Sequence, residues 1–205
     1  MDDRFARKTE YFNRLAPNWD DIVGNDGARQ ERLAEVFARV PVRRGMRVLD
    51  VGCGNGVLVP HIVARVGSEG SVCAIDAAPA MIERARTLHG RHANVRWIAG
   101  DIETCGLPEG AFDIILCFAV FPHVADKARA LAAMRALLAP GGRLVIFHLA
   151  DTASLNSFHA SLDAPVHDDM MPGRDELEAL FADTGFRLEA YEDAPGLNYV
   201  EAAPC

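Results

Sequence analysis

The chain reads as an α/β protein: a mostly parallel sheet with helices on both faces and an antiparallel hairpin near the C-terminal end. Three observations predict this. Strand-like and helix-like segments alternate from Arg47 onward, and such alternation builds a parallel sheet covered on both sides. The run V-L-D-V-G-C-G-N-G at 48–56 passes from an apolar segment into glycines at every second position, as where a buried strand enters a tight turn. Two final strand-like runs meet at Pro195 and Gly196, residues that suit a hairpin turn at the sheet edge.

The elements follow in order. Residues 1–40 carry two helical stretches, 3–15 and 26–40, broken around Pro17 and Gly24. A first strand is expected over 47–51 and a helix over 57–66. Gly67, Ser68 and Gly70 turn the chain into a second strand at 71–76. Pro79 sits where a first helical turn accepts proline, opening a helix through Leu88. Residues 95–99 and 112–118 (F-D-I-I-L-C-F) read as the third and fourth strands. Asp126 is a candidate N-cap for an alanine- and leucine-rich helix over 126–138. Pro140, Gly141 and Gly142 end that helix before a fifth strand at 143–148. Residues 149–172 show no clear period. A helix at 174–184, Gly185, and strands at 186–192 and 197–203 complete the chain. These elements define one domain over 1–205: an N-terminal helical cap (1–40), a ligand-binding core (41–148), an insertion (149–173), and a final helix with its hairpin (174–205).

Composition bounds the class. The 205 residues are half hydrophobic and carry a net charge of -8. That length buries a core without disulfide staples, and the acidic balance weighs against a nucleic-acid partner. No apolar run is long enough to cross a membrane, and M-D-D-R-F-A-R-K at the start lacks a secretory apolar stretch. Cysteines at 53, 73, 105, 117 and 205 form no C-x-x-C pair, which suits reduced thiols and a cytoplasmic location. A soluble small-ligand protein is expected, with no membrane insertion. Composition does not address its oligomeric state.

Gly52, Gly54 and Gly56 let the backbone turn sharply and approach a ligand, and the following helix aims its unsatisfied N–H groups over the turn. The dinucleotide fingerprint G-x-G-x-x-G places its third glycine one residue later. The earlier glycine here suits a nucleotide-type cofactor without phosphates.

The chain resembles the class I S-adenosylmethionine-dependent methyltransferases over nearly all its length. The glycine loop at 50–56 resembles their first motif. Asp76, within A-I-D-A-A-P-A-M-I, resembles the acid that holds the ribose. Gly100-Asp101 resembles the segment meeting the adenine amino group. F-D-I-I-L-C-F-A-V-F-P-H-V resembles the fourth-strand motif, and L-L-A-P-G-G-R-L-V-I the approach to the fifth strand. The opening Y-F-N-R-L-A-P-N-W-D is similar to the cap of the quinone-pathway members, whereas 149–172 departs from them. The resemblance implies a Rossmann-like, seven-stranded α/β sheet and S-adenosylmethionine as cofactor, with S-adenosylhomocysteine as its product.

It also implies a cofactor set of Asp50, Gly52, Cys53, Gly54, Asn55, Gly56, Asp76, Ala77, Met81, Asp101, Ile102, Cys117 and Phe118. Asp76 would accept the ribose hydroxyls or, alternatively, cap the helix opening at Pro79. Asp50 would face the amino acid end or brace the glycine turn. Ile102 and Met81 would pack on the adenine, Met81 serving equally as helix packing. Cys117 or Phe118 would offer backbone atoms to the methionine moiety, and Cys53 reads as a small loop filler.

Methyl transfer from a sulfonium needs alignment and water exclusion more than covalent machinery. For a hydroxyl or protonated amine acceptor a histidine base helps. His148, at the end of the fifth strand, is the best-placed candidate for base or substrate ligand, and His123 in F-P-H-V is a second that could equally pack the loop. Tyr11 and Trp19 from the cap, with His148 and His159, are expected to shape the pocket for a small-molecule acceptor. No metal is expected, although His148, His159, His167 and Asp168 cluster in sequence and could hold a divalent ion. Two other functions compete: a nicotinamide-dependent oxidoreductase, and a non-catalytic S-adenosylmethionine-binding protein.

Overall fold

The computed structural model describes residues 3–205; Met1 and Asp2, the first two residues of the expected cap, lie outside them. Helix α1 (Asp3–Leu15), a 3-10 turn (Ala16–Asn18), α2 (Trp19–Ile22) and α3 (Gly27–Phe37) precede the sheet. Then follow β1 (Arg47–Val51), α4 (Val59–Val66), β2 (Ser71–Asp76), α5 (Pro79–His89), β3 (Val95–Ala99) and β4 (Phe112–Phe118). A 3-10 turn (Phe121–His123) leads to α6 (Lys127–Leu137), β5 (Leu138–His148), α7 (Thr152–Ala160), α8 (Arg174–Asp183), β6 (Phe186–Ala194) and β7 (Leu197–Pro204).

The seven strands form one sheet in the order β3-β2-β1-β4-β5-β7-β6. The first five in that order are mutually parallel, and β7 pairs antiparallel with both β5 and β6. This is a Rossmann-like sheet with an antiparallel C-terminal hairpin, as expected. Its sequence origin lies in β1 and β4, which are apolar almost throughout because helices cover both of their faces. Alternate residues serve opposite faces. Leu49, Ile115 and Ile146 pack with Leu131 and Met134 of α6 and Phe181 of α8. Val48, Ile114 and Val145 pack with Leu33 and Phe37 of α3 and Ile62 of α4. Among the described residues no helix is long and apolar enough to cross a membrane.

Several boundaries differ from expectation for local reasons. Helix α4 starts at Val59, two residues late, because Val59 N–H still bonds Gly56 carbonyl across the glycine turn. Asp26 and Asp126 cap α3 and α6 through the N–H groups of Arg29 and Arg129, each at 2.9 Å. Strand β5 begins at Leu138 and runs through Pro140-Gly141-Gly142, pairing Leu138 with Phe112 before a register shift. The segment without a period contains α7, whose start is marked by Asp151 accepting from Ser154 N–H at 2.9 Å. Nine residues with a weak apolar stripe give little periodic signal.

The two halves of the expected cap part company. Leu33, Val36 and Phe37 of α3 belong to the sheet core. The stretch from α1 to α2 lies instead at the strand ends, where Phe12, Ala16 and Trp19 pack on Ala78 and Met81 of the α5 N-terminus.

The turn after β4 is anchored by Phe121, whose side chain is fully buried. Phe121→Ala is expected to cost about 3–5 kcal/mol of unfolding free energy, read as a lowered urea midpoint at unchanged slope.

Candidate active site

Carboxyl ends of parallel strands gather on one edge of such a sheet, and a cleft of about 990 Å³, open mouth included, lies there. Its walls come from α1 (Phe5, Lys8, Thr9, Phe12), Trp19, the glycine loop (Val51, Gly52, Gly54), the end of β2 (Ile75, Asp76, Ala77, Ala78), Met81, the 100–103 segment, and the turn after β4 (Ala119, Val120, His123, Val124, Ala125). Of the expected site residues it brings together Gly52, Gly54, Asp76, Ala77, Met81, Asp101, Ile102, Trp19 and His123.

Gly52 has φ +65°, and a Cβ there would lie 2.1 Å from Val120 Cγ2, so only glycine fits between β1 and the turn after β4. Gly54, at φ +54°, donates its N–H to Asp76 Oδ2 at 2.8 Å. Asp76 Oδ1 accepts from Ala78 N–H, also at 2.8 Å. The carboxylate thus ties the loop after β1 to the entry of α5, and each oxygen keeps a second acceptor position. Burial raises its pKa, against the pull of these two bonds. The N-cap of α5 is Ala78, with no side-chain cap bond. Asp101 Oδ1 accepts from Glu103 N–H at 3.0 Å. Met81 both lines the cleft and packs with Ala16 and Ala78.

Asp50 is buried beside the glycine loop, with one carboxylate oxygen lacking a partner. Burial, and then the Asp76 carboxylate, push its pKa up to about 8. Asp50 lies behind the cleft wall and not on it, and the remaining expected cofactor residues do not line the cleft either. Asn55 donates to Asp20 Oδ1 at 2.7 Å. Asp20 also meets Arg84 at 3.2 Å, which latches α2 to the glycine loop and α5. Gly56 backs onto His89 and Trp97. Cys53 and Cys117 are buried thiols whose pKa values burial raises, so neither is a poised nucleophile. Phe118 packs on Phe147, with ring centroids 4.8 Å apart.

The histidines divide sharply. His148 ends β5 but is buried off the cleft wall, beside Asn198 of β7. Burial, then His123 and His159, drive its pKa down to about 3. His123 lines the cleft, and its Nδ1 lies 2.8 Å from Oδ2 of Asp169, whose side chain is fully buried. His159 and Tyr11 stand beside this group without lining the cleft: the His159 ring is 4.9 Å from that of His123, and Tyr11 packs edge-on against Phe12. His167 and Asp168 are exposed, 3.9 Å from one another. Among the described residues no three His, Cys, Asp or Glu side chains converge on a possible metal position. His148, His159, His167 and Asp168 therefore do not converge as one ligand set.

Two site residues escaped the sequence reading. Lys8 is buried and pairs with Asp169. It shares a helical stripe with Phe5 and Phe12, and a lysine at i, i+3 and i+7 spacing on an apolar face was the available signal. Asp169 had none, because its partners lie at positions 4, 8 and 123.

Residues 48–142 match the sequence family described as "Methyltransferase domain". A mitochondrial ubiquinone biosynthesis O-methyltransferase of Schizosaccharomyces pombe is 33% identical over 161 residues, covering 72% of this chain and 56% of that protein. A ubiquinone/menaquinone biosynthesis C-methyltransferase of Idiomarina loihiensis is 37% identical over 123 residues, covering 58% and 49%. The chain thus spans about half the length of these relatives. Among solved structures, the DhpI–SAH complex superposes with a TM-score of 0.74 at 21% identity, covering 98% of this chain and 96% of that one. Likeness at that identity establishes the fold.

The raised Asp50 makes a pH prediction. Its folded pKa of about 8 exceeds the ordinary carboxylate value, so its contribution is fully present below that ordinary value and is lost as pH rises through the folded one. Asp50→Asn, which keeps the shape without the charge, is expected to gain stability relative to the parent between about pH 4 and pH 8. Thermal melts of the ligand-free pair across that range check it; parallel curves would refute it.

Proposed function

We propose, from the match of residues 48–142 to a methyltransferase domain family, that this chain is an S-adenosylmethionine-dependent methyltransferase of the class I type and methylates a small-molecule acceptor with His123 as the base. The observation that carries the reading is one cleft joining the Gly52–Gly54 loop, Asp76 and Asp101 to His123.

The residues suit the cofactor end for end. The unpartnered oxygen of buried Asp50 matches a cationic amino group. Asp76 retains acceptor capacity on both oxygens for a vicinal diol. Asp101 can accept from an exocyclic amine, between the apolar side chains of Met81 and Ile102. The lysine on the cleft wall, Lys8, is already paired with Asp169, and this disfavours the pyrophosphate of a nicotinamide cofactor. S-adenosylmethionine, when bound, supplies a methyl group on a sulfonium leaving group.

The remaining work falls to the protein. Phe5, Phe12, Trp19, Val120 and Val124 give the cleft apolar walls that hold an acceptor and exclude water. His123 takes the proton from the acceptor atom as it attacks. An acceptor hydroxyl or an acidic carbon both suit this base, and the relatives named for O- and C-methylation span the same choice.

Calorimetric titration with S-adenosylmethionine and with S-adenosylhomocysteine tests the reading. Both are expected to bind, with dissociation constants on the order of micromolar. Asp76→Ala is expected to weaken binding by about 1–3 kcal/mol. No binding to folded protein refutes the cofactor assignment. Binding without labelled-methyl transfer to any of a panel of phenols, enols and amines favours a cofactor-binding protein without turnover. Once an acceptor is in hand, His123→Ala is expected to lower the rate by roughly 10²–10⁴ while cofactor affinity holds.

A further inference from the structure

Asp169 is shared. Its side chain has no solvent exposure, and it sits in the segment between α7 and α8, far in sequence from all its partners. One oxygen meets two cations of α1, Lys8 by ion pair and Arg4 at 3.3 Å; the other meets His123 Nδ1 at 2.8 Å. Lys8 also donates to the His123 carbonyl at 2.9 Å. The carbonyls on either side, of Pro122 and Val124, accept from Lys127, each at 3.2 Å. All three carbonyls around the His123 turn are therefore held by ammonium groups, one of them carried by α1.

We infer that Lys8 and Asp169 are positioning residues that assemble the base: docking of α1 supplies the counter-charge for Asp169, and Asp169 fixes the His123 ring with its proton on Nδ1. This rests on the proposed role of His123. The physical chain is short. An ionised carboxylate only accepts, so the nitrogen facing it carries the hydrogen, and Nε2 is left as the acceptor on a ring that lines the cleft. Burial works against that charge, and the bonds from His123 and Lys8 outweigh it, so the Asp169 pKa lies below its ordinary value. Burying a carboxylate is tolerated when it is paired. Were Lys8 absent, Arg4 at 3.3 Å would remain on that oxygen, but the buried ion pair and the bond from Lys8 to the His123 carbonyl would both be lost, and with them the hold of α1 on the ring. The charged and titratable groups around His123 are Asp169, Lys8 and Arg4, with His159, His148, Asp76 and Lys127 beyond them. Of these, Asp169 alone meets its ring nitrogen by a polar contact seen here. The cap is then more than a cover, because an enzyme with α1 undocked would lack a competent base.

The test is the nitrogen spectrum of ¹⁵N-histidine-labelled protein at fixed neutral pH, which distinguishes Nδ1–H, Nε2–H and doubly protonated rings without an acceptor. The parent is expected to show His123 protonated on Nδ1 alone. Asp169→Asn is expected to move the proton to Nε2, because the amide can present its own N–H to Nδ1. Lys8→Met, which removes the buried ion pair and the bond to the His123 carbonyl, is expected to lose the single Nδ1–H pattern. Asp169→Glu and Lys8→Arg, which keep the charges, are expected to restore the parent pattern and show that any change is not general damage. A parent ring protonated on Nε2, or a parent pattern that survives both charge-removing variants, overturns the inference. Titration of the same samples with S-adenosylhomocysteine separates the two proposals. A parent that fails to bind it refutes the cofactor reading whatever the tautomer, and a parent that binds it with Nε2–H refutes only the role of Asp169.

Discussion

Parallel strands cannot be joined by tight turns, so each connection must travel back across a face of the sheet and deliver the next strand in the same direction. In this chain that constraint places the carboxyl ends of β1, β2 and β4 on one edge. Everything chemical follows from it. The glycine loop leaves β1 there, Asp76 ends β2 there, and the turn carrying His123 follows β4 there. The contact between Gly52 and Val120 is the tightest expression of the constraint, since no side chain fits where the two exits meet.

Around this edge the structure treats its buried carboxylates in opposite ways. Asp50 has an unpartnered oxygen and its pKa is raised. Asp169 is fully paired and its pKa is lowered. Burial acts upward on both, so the difference lies in their partners. A buried carboxylate with an unsatisfied oxygen is disfavoured as the charged form, which is why burial prevails at Asp50. One already matched by cations of its own chain is a structural joint, and here it joins three segments distant in sequence. Asp20 plays a similar part at the other end of the cap: burial pushes its pKa up, but hydrogen bonds from Asn25, Arg84 and Asn55 prevail and the net direction is down. The cap is thus fastened by charge at both ends and by Phe12 and Trp19 between.

The histidines show where linear reading fails. His148 ends the fifth strand, which is where the sequence pointed for a base, yet a strand residue can face the packed interior beside a cleft as easily as the cleft itself. His123 was equally visible in F-P-H-V, but nothing local showed whether its ring would reach the cleft or meet a carboxylate; its partner Asp169 lies 46 residues away. The His/Asp group at 148–168 is spread over the end of a strand, a helix and a loop, and its four side chains do not converge on one point.

Hydrophobic period, glycine spacing and capping residues are local properties, and they determined a great deal by themselves. Five strands, the C-terminal hairpin and the glycine loop were legible, because each depends on residues within a turn or two of itself, whereas Asp76 and Asp101 were singled out by family resemblance. Tertiary structure alone decided the insertion of β7 between β5 and β6, the division of 1–40 into a core helix and a cleft-covering stretch, and the union of Lys8, His123 and Asp169. Those outcomes depend on pairing across long stretches of chain, where the cost of burying a charge is met only after the whole sheet is in place.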